Sequence, residues 1–230
     1  MIAASYSATR NLYPLLPPAI KSLLHNSPVE KVYLLLEDDD PGFALPAECQ
    51  VINVSGQTDF RPDGPNYVSH WTWMVLMKMT LYRRLPDLDR ILTLDVDTIV
   101  AHDISELWEL DLDGYLYAAA REPAKCRGEQ LYVNAGVLMH NLALLRSSGW
   151  GDELVKALNR RAFNFPEQDL ISTLGPHLIR EIGSTYNAGG GTSPVEDPKI
   201  YHFMGIKPWT GFAIWHRYNA MSWEDVRPCV

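Results

Sequence analysis

The stretch RILTLDVDTIVAHDISELWEL runs from Arg90 to Leu110. It opens with the apolar, strand-like Ile91-Leu92-Thr93-Leu94 and then places Asp95 and Asp97 two residues apart. Carboxylates are costly to bury without a partner or an ion. Residues i and i+2 of a strand point the same way. If the strand continues, both acids face one side; if it breaks there, the backbone can turn them to converge on a cation. Oxygen ligands suit Mg²⁺ or Mn²⁺, and an ion held by two Asp keeps open positions for phosphate oxygens. The plainer alternative is that one Asp caps a turn and the other is solvated, since Asp is common at turns. Phosphatases of the haloacid-dehalogenase type also use Asp-x-Asp-x-Thr after an apolar strand. Here the position four after Asp95 is Ile99, and Thr98 comes one residue early. That motif also usually opens its domain, whereas this one lies deep in the chain.

Outward from this stretch, short apolar runs alternate with helical patterns, which predicts βα units and a mainly parallel sheet in one α/β domain. Strands are expected at 1–5, 31–36, 50–54, 90–95, 115–120 and 134–141. Helices are expected at 17–27, 71–85, 104–110, 152–162 and 166–175, the second with Met74, Met77 and Leu81 on one face. Residues 61–70, 122–131 and 187–199 read as loops, and 200–209 as the last informative stretch. In such sheets ligands bind beyond the carboxyl ends of the strands.

The 230 residues are 47% hydrophobic with seven Trp, as expected of a packed globular chain. A formal net charge of -8 argues against general nucleic-acid binding, which needs a basic footprint. No window reaches the roughly 18 to 20 apolar residues of a membrane span, and the start lacks the pattern of a signal peptide. Cys49, Cys126 and Cys229 are far apart, so free thiols in a reducing cytosol are expected. Peripheral contact with a membrane stays open. The acidic turn Glu37–Asp40 reads as solvated and is assigned no metal.

His202, in IYHFMGIKPW, extends the Asp pair. Imidazole with carboxylates suits Mn²⁺ better than oxygen ligands alone. Nearby Gly205 lets a backbone approach a phosphate, and Lys207 supplies a point charge for it. A core-edge His with a solvated Lys is the competing view. Trp71 and Trp73 read as core; Trp209 and Trp215 have the better claim on a sugar.

Together LDVDTIV, YVNAGVLMHNL, PEQDLIS and HFMGIKPW, in this order and at compatible separations, resemble four motifs of the retaining glycosyltransferases of family 8. That family includes glycogenin and the bacterial lipopolysaccharide galactosyltransferases. The resemblance covers nearly the whole chain and implies a single GT-A (Rossmann-like) catalytic domain over 1–230, a UDP-sugar donor and Mn²⁺, with Mg²⁺ as the substitute. It implies that Asp95, Asp97 and His202 hold the metal, and that Asp95 and Val96 also touch the donor. Gly205 and Lys207 would meet the diphosphate, and Lys78 would be a basic donor contact. Asn134, Ala135 and Gly136 would line the donor sugar. Glu167, Gln168 and Asp169 would stand beside the reacting carbon, and Ala3, Ser5, Tyr6 and Asn11 would contact uridine. Three departures stand out: one residue rather than two separates Gly205 from Lys207, Glu167 replaces the commoner Asp, and the loop after the first strand is longer.

The implied reaction is retaining transfer of a hexose to a glycan, lipid-linked or protein acceptor. Same-face attack is expected, because the amide of Gln168 carries no full negative charge. Adjacent helical residues point about 100° apart, so Gln168 and Asp169 cannot both aim at one carbon. The rival is a nucleotide-sugar or glycan-binding module without turnover.

Overall fold

The computed structural model describes residues 1–68, 71–126, 130–189, 195–206 and 208–226. In chain order the elements are β1 (Ala3–Ala8), α1 (Leu16–Asn26), β2 (Lys31–Leu36), β3 (Cys49–Asn53), α2 (Leu81–Arg84), β4 (Arg90–Leu94) and β5 (Thr98–Val100). There follow β6 (Tyr117–Arg121), β7 (Val133–Asn141), α3 (Leu142–Ser147), α4 (Trp150–Arg160), α5 (Pro166–Ser172), β8 (Ile179–Ile182), β9 (Ala188–Gly189), β10 (Ile200–His202) and α6 (Ala213–Ala220).

Seven strands form the central sheet in the order β3-β2-β1-β4-β7-β6-β8. It is mostly parallel, and β7 runs antiparallel to both its neighbours, β4 and β6. The two-residue alternation of each strand divides the core. Ala4, Tyr6, Ala8, Leu92 and Leu94 face α1, whose Leu16, Ile20 and Leu23 cover them. Ala3, Ile91 and Leu138 face the other way, onto α3, α4 and α5. Pro17 and Pro18 sit in the first turn of α1, where a missing N–H leaves no helical bond unmade. No helix among the described residues is long and apolar enough to cross a membrane.

A second, three-stranded sheet, β5-β10-β9, stands beyond the end of β4. Its back is closed by a small apolar cluster of Ile99, Phe203, Trp215 and Tyr218. The side-chain amide of Asn26 in α1 donates to Val100 O and to the Tyr218 hydroxyl, tying this sheet to the main body.

The expected helix over 71–85 takes another form. Residues Trp73–Thr80 wind as a 3₁₀ helix, and only α2 is α-helical. Thr72, which precedes it, has φ 64°, a left-handed value that a β-branched residue adopts only under strain. Met74, Leu76, Met77, Lys78, Met79 and Thr80 are all buried, so the segment is enclosed rather than packed along one stripe. Its 3.6-residue pattern therefore did not report the tighter winding. The expected helix at 104–110 is also 3₁₀ and is confined to Ser105–Trp108.

Candidate functional site

The main strand β4 ends at Leu94, and the chain turns at once. The Thr98 N–H and the Thr98 hydroxyl both donate to Asp95 O, at 3.2 and 2.8 Å. The Asp95 N–H donates to Gly136 O on β7 at 2.8 Å. The strand breaks between the two acids, and the turn brings both to one side. The strand formed after it, β5, pairs with β10 so that Thr98 lies opposite His202. That ladder carries an imidazole about a hundred residues along the chain to the Asp pair. His202 Nε2 stands 3.3 Å from Asp97 Oδ1 and 3.8 Å from Asp95 Oδ2. One ligand atom from each of the three lies within 4.8 Å of the others, a donor set fitted to a divalent cation.

Glycines make room for His202. A Cβ on Gly136 would collide with the imidazole, and one on Gly189 with the His202 carbonyl oxygen. The tautomer follows from a chain of side-chain hydrogen bonds. Glu122 accepts from Asn134 Nδ2 at 3.0 Å. Asn134 Oδ1 then accepts from Asn187 Nδ2 at 3.0 Å, and Asn187 Oδ1 faces His202 Nδ1 at 2.8 Å. A carboxylate cannot donate, so each amide has one consistent orientation and Nδ1 carries the proton. In the neutral ring that leaves Nε2, the nitrogen facing the carboxylates, with the lone pair that metal ligation requires.

Charge is held tightly here. Burial disfavours the ionised Asp97, but the facing His202 outweighs it and holds the carboxyl below the usual range. Burial likewise opposes a charged His202, and Asp97 raises it overall. Lys78 is buried, yet Asp95 and Glu167 keep it above its ordinary value. Its Nζ donates to Asp95 Oδ1 at 2.8 Å and Ala135 O at 3.1 Å, with Glu167 Oε1 3.6 Å away. Burial raises Glu167 despite that lysine.

A pocket of about 260 Å³ opens on these groups. Asp95, Asp97, His202, Asn134, Gly136, Glu167, Gln168 and Gly205 line it, so these residues singled out in the sequence converge. Ala135 joins through its backbone: its N–H donates to Gln168 Oε1 at 3.0 Å. Gln168 Nε2 donates to Glu122 Oε2 at 3.0 Å and to the Tyr132 hydroxyl at 3.2 Å. Val96 is buried beneath the turn. Asn11 stands just past β1, where its Oδ1 accepts from the Thr9 hydroxyl.

Other residues stand elsewhere. Ala3, Ser5 and Tyr6 are buried in β1, short of its carboxyl end at Ala8, and present no surface to a uridine. Tyr6 donates inward to Ala19 O. Asp169 turns away from the pocket wall. Its carboxylate accepts from the Tyr132 hydroxyl and from the N–H groups of Asn164 and Phe165, at the start of α5. Gln168 alone of that pair faces the pocket. Trp215 is 2% exposed within the small apolar cluster, whereas Trp71, expected in the core, is 42% exposed and lines the pocket. Lys207 lies outside the described residues, as does Cys229. Asp38 is paired with Arg10 rather than only solvated.

Glu122 and Asn187 escaped the sequence reading. Glu122 sits in a charged loop that looks solvated, and Asn187 precedes a glycine run that looks like a turn. Nothing in either local pattern signals burial.

A family model described as Glycosyl transferase family 8 matches residues 43–213. The chain is 28% identical to the glycosyltransferase GlyE of Streptococcus pneumoniae, over 90% of this chain and 58% of that protein. The crystal structure of GlyE superposes with a TM-score of 0.74 at 22% identity, covering 98% of this chain and 62% of that one. This chain thus spans about three-fifths of GlyE. The galactosyltransferase LgtC, solved with donor and acceptor sugar analogs, gives a TM-score of 0.68 at 17% identity over 97% of this chain and 98% of its own. These likenesses share the GT-A fold with the sheet described above. With most of its length matched by the family model, the chain belongs to glycosyl transferase family 8.

Proposed function

We propose that residues 1–230 form one catalytic domain that moves a hexose from a UDP-sugar to a carbohydrate-type acceptor with retention of anomeric configuration. Asp95, Asp97 and His202 would hold Mn²⁺, or Mg²⁺ in its place. The observation that carries this reading is the convergence of those three side chains, with His202 Nε2 aimed at the two carboxylates by the bond from Nδ1 to Asn187. A divalent ion there would offset the charge that develops on the departing UDP.

The protein's own groups take the remaining tasks. Lys78 keeps Asp95 fixed and adds a buried positive charge to an otherwise acidic site. Asn134 and Gly136 present the wall against which the donor sugar would lie. Gln168 has both ends of its amide engaged, so its part is to orient the sugar. Gly205 has φ 69° at the pocket edge, leaving backbone free to approach the diphosphate, and Lys207 belongs to the same proposal.

Retention by double displacement needs a carboxylate free to attack. Glu167 is beside Lys78, Asp169 is held by backbone amides, and Glu122 accepts from two side-chain amides and pairs with Lys125. Those engagements favour same-face attack, in which the departing phosphate oxygen takes the proton of the acceptor hydroxyl. A cytoplasmic setting accords with the free thiols of Cys49 and Cys126.

The test is UDP release from a panel of UDP-hexoses, followed by NMR of the anomeric proton in any product. An α-linked donor should give an α-linked product. A β-linked product would contradict retention, and nucleotide binding without UDP release would leave only a binding module. A glycosyl adduct trapped on Glu122, Glu167 or Asp169 would replace same-face attack and leave the donor assignment standing.

A further inference from the structure

Gln168 lines the pocket, and the bonds of its amide define which end points where. The Ala135 N–H can only donate, so the atom it meets at 3.0 Å is Oε1. Nε2 therefore faces the other way, where it donates to Glu122 Oε2 at 3.0 Å and to the Tyr132 hydroxyl at 3.2 Å. A hydroxyl carries one proton and two lone pairs. Tyr132 gives its proton to Asp169, a carboxylate that only accepts, and so meets Gln168 with a lone pair. Asp169 is fixed in turn at the start of α5 by the N–H groups of Asn164 and Phe165, at 3.0 and 2.9 Å. Burial, and after it the bond to Asp169, raise the Tyr132 hydroxyl above its ordinary range, so it keeps that proton at neutral pH.

Neither Tyr132 nor Asp169 lines the pocket, whereas Gln168 does. Tyr132 is itself held in place. Its carbonyl oxygen accepts from the Glu122 N–H at 2.9 Å, and the Lys125 ammonium stands 5.4 Å from its ring centre. The two ends of an amide have the same shape and opposite polarity, so a site that uses one sense must exclude the flipped one. We infer that Tyr132 is a positioning residue: it relays the fixed carboxylate of Asp169 to Gln168 and holds that amide in one sense during transfer. Asp169 thereby takes part in the reaction without touching the sugar. The inference rests on the transferase reading above and adds to it two residues that act through a third.

The experiment follows UDP release from UDP-hexoses with Mn²⁺ by the 230-residue chain. In a ¹⁵N-labelled sample it also follows the side-chain amide protons of Gln168, assigned by their loss in Gln168→Ala. Tyr132→Phe keeps the ring and removes the hydroxyl. It should lower kcat roughly twofold to tenfold, the range for one hydrogen bond, and leave the UDP dissociation constant unchanged. It should also shift the Gln168 amide signals. In the Gln168→Ala background the same substitution should cost nothing further in kcat. Asp169→Asn sets an amide N–H against the Tyr132 oxygen and so turns the hydroxyl proton onto the donor end of Gln168. It should lower kcat in the wild-type chain and add little to Tyr132→Phe. The inference falls if Tyr132→Phe costs the same factor with and without Gln168, or if its whole effect lies in UDP binding. It falls also if the Gln168 signals stay in place in Tyr132→Phe, or if Asp169→Asn costs as much in that variant as in the wild type. Should the wild-type chain release no UDP, the transferase reading fails separately, and the Gln168 amide signals still decide whether Tyr132 holds the amide.

Discussion

His202 presents one nitrogen to the carboxylates because Asn187 engages the other. Outer partners of this kind typically change metal affinity by about 10- to 100-fold. Asn187→Leu should therefore weaken Mn²⁺ binding roughly tenfold or more while leaving the three ligands in place. Calorimetric titration with Mn²⁺ checks this, and an unchanged affinity would mean the amide does not set the ring. Glu122 starts the same chain of bonds and receives the amides of Asn134 and Gln168. Glu122→Ala leaves two buried donors unpaired, at about 1–3 kcal/mol each. Glu122→Gln keeps an acceptor oxygen and should cost clearly less. Urea unfolding of both variants tests the ordering, and equal losses would show that water replaces the carboxylate.

The site is assembled by short elements. The turn after β4 and the ladder between β5 and β10 bring Asp95, Asp97 and His202 together, and β7 passes beneath them with a glycine at the crossing. Gly136→Ala would push a methyl group into the imidazole. Overpacking costs about 1–3 kcal/mol, so the melting temperature should fall and Mn²⁺ binding should fall with it. Wild-type Mn²⁺ affinity in Gly136→Ala would show that the ring can move aside. The convergence of Asp95, Asp97 and His202 was legible because four motifs in order resembled one family; the acid pair alone suited a capped, solvated turn equally well. The partners of these residues were not legible. Glu122 and Asn187 become buried only through tertiary contacts, and the strand register that buries Ala3, Ser5 and Tyr6 depends on β1 continuing to Ala8. The same holds for the tryptophans: the sequence offered no means of telling that Trp215 packs inward while Trp71 points out. The segment 71–85 had helical periodicity, but burial on all sides favoured a tighter coil than the pattern implied.

At the scale of the whole molecule, acid stability depends on a residue far from the pocket mouth. His140 is fully buried in β7, edge-on to Tyr117 at 5.1 Å. Burial, with a smaller effect from Lys78, lowers its pKa from 6.5 to about 3. As pH falls through 6.5 the unfolded chain takes up this proton and the folded chain does not, so stability present above 6.5 is lost toward 3. The slope from this residue approaches about 1.4 kcal/mol per pH unit. His140→Gln should flatten the fall in unfolding free energy between pH 6 and pH 4 by roughly that amount, as measured by urea titration at each pH. Equal slopes for the two proteins would mean that His140 charges without unfolding. The central claim, that Asp95, Asp97 and His202 form the metal centre of a UDP-sugar transferase, is tested most directly by Mn²⁺ itself. UDP release is followed in EDTA, after Mn²⁺ is restored, and in Asp97→Asn, with bound Mn²⁺ read by electron paramagnetic resonance. The predicted result is no release in EDTA, recovery with stoichiometric Mn²⁺, and loss of both release and bound Mn²⁺ in Asp97→Asn; full UDP release in EDTA would contradict the account.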